Sequence, residues 1–204
     1  MDFIVLSSSK GTVFQSVIDR IQEGSLHAHC LGLITDRADR GCTEKAKKAG
    51  IPVKIIPMMQ VDDRAAYDKN VHAAILDFME SEAAQSSKLK AQSCFIACMG
   101  WMFLFSPWFV KQWSGRILNV HPSLLPKYPG THPHEDVLKN GDTESGMTIH
   151  LIDEGIDTGK ILLQKKCPVL PDDSEKTLKK RVQALECEWY PRVLEMIEKG
   201  ELRL

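Results

Sequence analysis

Short apolar runs and helix-spaced apolar stretches alternate along the first 120 positions of the chain. Phe3-Ile4-Val5-Leu6 reads as a buried strand. A Ser7-Ser8-Ser9-Lys10-Gly11-Thr12 segment follows, and Val13 to Ile21 then carries apolar residues at helical spacing. Leu31 to Thr35 is a second strand, a helix through Glu44 to Ala49 stops at Gly50, and Val53 to Ile56 is a third strand. A long helix is predicted from Asp62 to about Glu80, with Tyr67, Val71, Ala74, Ile75 and Phe78 on its inner stripe. Phe95 to Met99 and Ile117 to Val120 complete five strands.

Strands that alternate with helices predict an α/β fold built on a doubly wound, mostly parallel sheet. Beyond position 140 the pattern changes. Met147 to Ile152 and Ile161 to Lys166 read as strands joined by a tight loop containing Asp157, an antiparallel extension at one end of the sheet. A final long helix is expected from about Glu175 into the 190s, with Pro191 bending or interrupting it. No internal repeat or long linker divides the sequence, so residues 1–204 are expected to form one domain. The polar stretch from Glu80 to Gln92 is expected to be a lengthened helix end or a surface loop.

With 204 residues the chain can bury a substantial core, and a net charge of −1 gives no bulk attraction to nucleic acid or membrane. No apolar run approaches the ~20 residues that span a bilayer. Residues 3–6 are too short for a signal peptide, so a cytoplasmic protein is expected. The six cysteines include no C-x-x-C pair and read as reduced, small apolar residues, with Cys98 a possible pocket wall rather than a nucleophile. No Cys/His cluster has metal-ligand spacing, so no metal is expected.

The chemistry gathers near Asn119-Val120-His121-Pro122. Residues two apart on a strand share a face, so a carboxamide and an imidazole project together. Pro122 and Pro126 stop the strand and stiffen the turn after it. Open α/β sheets place their ligand sites at such strand ends. A bare Asn-x-His pair would equally suit a satisfied core or loop position. The block continues, however, through Gly130-Thr131-His132-Pro133-His134, Asn140-Gly141-Asp142, Gly146 to His150 and Asp153-Glu154-Gly155-Ile156-Asp157-Thr158-Gly159. His132, His134 and His150 are given packing and hydrogen-bonding roles.

This ordered set resembles the folate-dependent formyltransferase family, within it most nearly the branch acting on glycinamide ribonucleotide, over nearly the whole chain. The resemblance implies transfer of a formyl group from 10-formyltetrahydrofolate to a primary amine, with Asn119, His121 and Asp157 as catalytic residues. Asn119 and a protonated His121 would offer hydrogen bonds to the developing oxyanion, and Asp157 would favour the imidazolium. The resemblance further places the acceptor and its phosphate against Gly11, Thr12, Val13, Gln183 and Glu186. It places the folate against Arg64, Met102, Phe103, Leu104, Phe105 and Asn119, while Trp108 and Phe109 read as core. The family usually has Asn at position 13 and a basic residue at position 103, where this chain has Val13 and Phe103. Small-molecule substrates and a monomer or homodimer are expected. The alternatives are another acceptor amine, such as an amino sugar, or a non-catalytic folate-binding relative. A methionyl-tRNA acceptor and a deformylase are disfavoured, since each would bring a further domain.

Overall fold

Seven strands make one sheet in the order β3-β2-β1-β4-β5-β6-β7 in the computed structural model, which describes residues 1–58, 63–85 and 94–203. The strands are β1 (Asp2–Leu6), β2 (His29–Thr35), β3 (Val53–Ile55), β4 (Phe95–Cys98), β5 (Ile117–His121), β6 (Glu144–Leu151) and β7 (Ile161–Pro168). Pairing is parallel from β3 through β5 and antiparallel for β5–β6 and β6–β7. The doubly wound sheet with its antiparallel extension is therefore as expected.

Among the described residues six helices cover the sheet: α1 (Thr12–Gln22), α2 (Gly41–Lys48), α3 (Arg64–Gln85), α4 (Pro107–Gln112), α5 (Pro133–Lys139) and α6 (Glu175–Glu198). Strand alternation divides the core into two layers. Phe3 and Val5 pack with α1, α2 and α6, whereas Ile4 and Leu6 pack with α3 and α4. A strand buried on both faces must be apolar at successive positions, which explains why β1 reads as an unbroken apolar run. The predicted inner stripe of α3, from Tyr67 to Phe78, is buried in the second layer.

Residues 80–85 continue α3, the lengthened helix end that was one of the two readings of that stretch, while 86–92, like Asp62, lie outside the described residues. Helices α4 and α5 were not anticipated. They are six and seven residues long and each opens on a proline. Proline suits the first helical position, where its missing N–H would have no partner anyway, yet in sequence it reads as a breaker. Pro191, buried within α6, does not interrupt that helix.

The crossovers change direction between β1 and β4, and the two strand ends are tied together there. The Ser7 hydroxyl donates to the Met99 carbonyl at 2.7 Å, and the Ser8 N–H donates to the Gly100 carbonyl at 2.9 Å. A crevice outside the carboxyl ends of the strands at such a switch point is where open α/β sheets bind ligands.

Candidate active site

A cleft of ≈ 810 Å³ opens at this switch point, lined by residues that follow β1, β4, β5 and β6 and by one face of α6. Its size falls within the roughly 300–1,000 Å³ of small-molecule sites. Because β5 lies between β4 and β6, Asn119 and His121 are flanked by the segments 100–105 and 152–157.

Hydrogen-bond accounting fixes the roles of the polar groups here. His121 Nε2 lies 2.8 Å from the Tyr128 carbonyl oxygen, which can only accept, so Nε2 carries a proton. Its Nδ1 faces Asp157 Oδ2 at 3.3 Å. The two groups form an ion pair only when the ring is protonated. Asp157 is held in turn by the Gly130 N–H, which donates to Oδ2 at 2.9 Å. Its backbone is left-handed, with φ 55°, a conformation that short acidic side chains tolerate better than most. Gly159 fixes the same loop by close approach, since a Cβ there would lie 1.9 Å from the Leu151 carbonyl oxygen.

His150 belongs to this network through hydrogen bonds, one of the two kinds of role expected of it. The antiparallel register sets it directly opposite Asn119. Its Nδ1 donates to the Leu151 carbonyl at 2.9 Å, leaving Nε2 to accept from Asn119 Nδ2 at 3.1 Å. Burial, the largest influence, lowers the His150 pKa and keeps the ring neutral, as that accepting role requires. One amide N–H of Asn119 is thus anchored and the other is left for the cleft. Asp157 Oδ1 stands 3.5 Å from His150 Nε2, so the carboxylate sits between two imidazoles.

At the other end are the residues expected to meet the acceptor. Thr12, Val13, Gln183 and Glu186 line the cleft, but Gly11 does not. The Gly11 N–H donates to Ser9 Oγ at 3.0 Å and is not free for a ligand, contrary to expectation. Gly11 caps α1 in the left-handed region, φ 72°, and no side chain caps the helix. The first-turn N–H groups, beginning with Thr12 and Val13, therefore have no partner within the helix. The Val13 side chain is 7% exposed and packs in the α1 layer of the core, so it offers the cleft no polar contact. Burial pushes the Glu186 carboxyl up to about 7, against the opposing pull of Lys179.

Along the opposite wall, Met102 and Leu104 are each 62% exposed and line the cleft together with Phe103 and Phe105. Arg64 does not line it. Its guanidinium lies 5.5 Å from the ring centroids of Phe103 and Tyr67, with Asp68 Oδ1 3.6 Å away. Phe109 is fully buried in the core; Trp108 is half-buried and stands edge-on to His72. Cys98 does face the cleft, and burial pushes its thiol up, away from nucleophilic use. Among the described residues no helix is long and apolar enough to cross a membrane.

A model of the formyl transferase family matches residues 1–194. Phosphoribosylglycinamide formyltransferase of Escherichia coli is 34% identical over 204 residues, covering 100% of this chain and 90% of the relative. The trifunctional purine biosynthetic protein adenosine-3 of Drosophila pseudoobscura pseudoobscura and that of Bos taurus are 37% and 36% identical over 98% of this chain. The chain spans only 14% and 18% of their lengths. Among solved structures, glycinamide ribonucleotide transformylase 1 from Symbiobacterium toebii superposes with a TM-score of 0.88 at 28% identity, covering 100% of this chain and 93% of that one. Phosphoribosylglycinamide formyltransferase from Coxiella burnetii gives 0.87 at 34%, covering 100% and 90%.

Proposed function

The chain belongs to the formyl transferase family, and from that premise we propose that it moves a formyl group from 10-formyltetrahydrofolate to the primary amine of glycinamide ribonucleotide. The observation that carries this reading is the Asn119–His121–Asp157–His150 network at the end of β5, facing one cleft with an apolar wall and a polar end. Folate fits that cleft in kind: Met102 to Phe105 present the flat apolar surface a pterin needs, and few polar groups converge on it. The folate supplies the activated formyl carbon.

The chain's own residues act on the charge that follows. When the amine adds to that carbon, the former carbonyl oxygen becomes an oxyanion. The free N–H of Asn119 is held in place by His150 before any substrate arrives, so donating it requires no reorganisation during reaction. His121 commits Nε2 to the Tyr128 carbonyl and presents Nδ1 and its carboxylate partner to the cleft. Water ordered by the second oxygen of Asp157 carries the amine's departing proton to the folate nitrogen; as the oxyanion collapses the formyl–nitrogen bond breaks, tetrahydrofolate leaves with that proton, and the formyl group stays on the acceptor amine. The first-turn N–H groups of Thr12 and Val13 suit the acceptor's phosphate, and Gln183 and Glu186 suit its hydroxyl-bearing portion. We place the protein in the cytoplasm as a monomer or homodimer acting on small molecules.

Purified protein should consume 10-formyltetrahydrofolate, followed by absorbance, only when glycinamide ribonucleotide is added. Consumption with an amino sugar but not with the ribonucleotide would replace the acceptor. Folate binding without turnover of any amine would make the protein a non-catalytic relative.

A further inference from the structure

The turn at 128–130 touches both members of the His121–Asp157 pair. The Tyr128 carbonyl accepts from His121 Nε2 at 2.8 Å, and two residues later the Gly130 N–H donates to Asp157 Oδ2 at 2.9 Å. One short turn therefore bears on where the imidazole and the carboxylate stand relative to each other. Its backbone is unusual. Tyr128 has φ 58°, a left-handed conformation that bulky side chains avoid, and it precedes Pro129, which favours an extended residue before it. Among the described residues only Tyr128 and Asp157, glycines aside, have positive φ, and both meet His121. Such a conformation persists where the surroundings over-determine it.

Those surroundings lie on two sides of the turn. Inside, the fully buried Ser123 hydroxyl reaches the carbonyls of Lys127 and Tyr128 at 2.6 and 3.2 Å. Outside, the Tyr128 hydroxyl donates to Asp142 Oδ2 at 3.0 Å, and Lys127 Nζ donates to the same oxygen at 2.9 Å. Asp142 follows α5, and its N–H donates to the Val137 carbonyl of that helix at 3.3 Å, so the anchor belongs to a different element from the turn it holds. Neither Tyr128 nor Asp142 lines the cleft.

We infer that the Tyr128 hydroxyl and Asp142 are positioning residues: their contact holds the turn at 128–130 in its left-handed form, and the turn in that form aims His121 and Asp157 at each other. Without the contact, Tyr128 can relax toward the extended backbone that Pro129 favours, which withdraws its carbonyl from His121 Nε2 and displaces the Gly130 N–H from Asp157. The inference rests on the proposed role of the His121–Asp157 pair in formyl transfer.

Three single variants test it. Tyr128→Phe removes only the hydroxyl, Asp142→Ala removes its acceptor, and Asp142→Asn keeps one. With 10-formyltetrahydrofolate and glycinamide ribonucleotide, Tyr128→Phe and Asp142→Ala should each lower kcat, by up to about tenfold for one lost hydrogen bond, with little change in KM. Asp142→Asn should recover most of that loss. The Tyr128→Phe/Asp142→Ala double variant should be no slower than the slower single one, because both break the same contact. Proton NMR of the free protein reads the turn without turnover: the His121 Nε2–H should exchange with solvent on the order of tenfold faster in both single variants than in wild type. Tyr128→Phe keeps the ring that packs on the core, so it carries the test should Asp142→Ala unfold. Faster exchange together with slower turnover supports the inference. Unchanged exchange in Tyr128→Phe, wild-type turnover despite faster exchange, or losses that multiply in the double variant overturn it. If the wild type formylates no amine, the proposed function fails, and the exchange rates alone decide whether this contact positions His121.

Discussion

Replacing Glu186 by Gln should make the protein relatively more stable as pH rises, and the size of the effect follows from where the carboxyl sits. Glu186 is ionised with a value near 4.5 in an unfolded chain, and burial in the cleft wall raises it to about 7. The folded state therefore holds a proton that the unfolded state has released. Between those two values stability falls with rising pH, because the unfolded chain binds fewer protons. Each unit is worth ~1.4 kcal/mol, so the penalty approaches about 3 kcal/mol above pH 7. That is an upper figure, since the side chain is half-buried and Lys179 offsets part of the cost. His134 works in the opposite sense. Burial, then Lys179 and His121, lower it from 6.5 to about 4, so its contribution is lost as pH falls through that window. The wild-type curve thus mixes two slopes, and the difference between wild type and Glu186→Gln isolates one. Urea unfolding from pH 4.5 to 8.5 should show the variant gaining up to about 3 kcal/mol on wild type across the range, with unchanged m. Curves that stay parallel would mean Glu186 ionises as freely as in the unfolded chain, and the buried-carboxyl reasoning would fail.

Other substitutions separate catalysis from support. Asn119→Ala and His121→Ala should each lower kcat about a hundredfold or more while folate affinity, measured by titration, changes little; near-wild-type turnover of Asn119→Ala would sink the oxyanion role, and near-wild-type turnover of His121→Ala the role of the His121–Asp157 pair. His150→Ala should lower kcat without altering folate affinity, because Asn119 loses its anchor, and His150→Gln, which keeps an acceptor, should recover part of that loss. Equal activities in Ala and Gln variants would reduce His150 to packing. Val13→Asn should lower thermal stability by about 1–3 kcal/mol, as expected for an amide placed in the α1 core layer; an unchanged melt with a lower KM would show that the side chain turns to the cleft instead.

Single strands and single helices were legible in the sequence where their period was long enough to repeat. The apolar run of β1 and the five-residue stripe of α3 each carry their own evidence. Helices α4 and α5 do not, being two turns or less and opened by Pro107 and Pro133. The Asn119 and His121 pair was visible because strand periodicity alone puts both on one face. The contact of His150 with Asn119 was not, because it depends on the register between β5 and β6, which neither strand's pattern states. Position 13 shows a further limit. That Val13 departs from the family pattern is plain in the sequence, but whether it faces ligand or core depends on how α1 seats against the sheet, and the core takes it. The loop glycine at position 11 looked like a phosphate donor until Ser9 was found to occupy its N–H.

The antiparallel extension explains why the proposed chemistry can be placed at this strand end. A parallel sheet ending at β5 would offer a carboxamide free to rotate and an imidazole with no carboxylate beside it. Strand β6 supplies the first correction by register, setting His150 across from Asn119 so that one amide hydrogen is held and its partner points to the cleft. The turn toward β7 supplies the second. Gly159 packs against the Leu151 carbonyl, Asp153 Oδ1 accepts from the Gly155 N–H at 3.0 Å and the Thr158 hydroxyl at 2.7 Å, and Asp157 is thereby held in a left-handed conformation that aims its carboxylate at His121. Gly130, from the loop after β5, closes the arrangement by donating to that same carboxylate. The carboxamide, the imidazole and the carboxylate thus come from separate elements, each held by contacts outside the cleft, so their mutual placement is built into the fold.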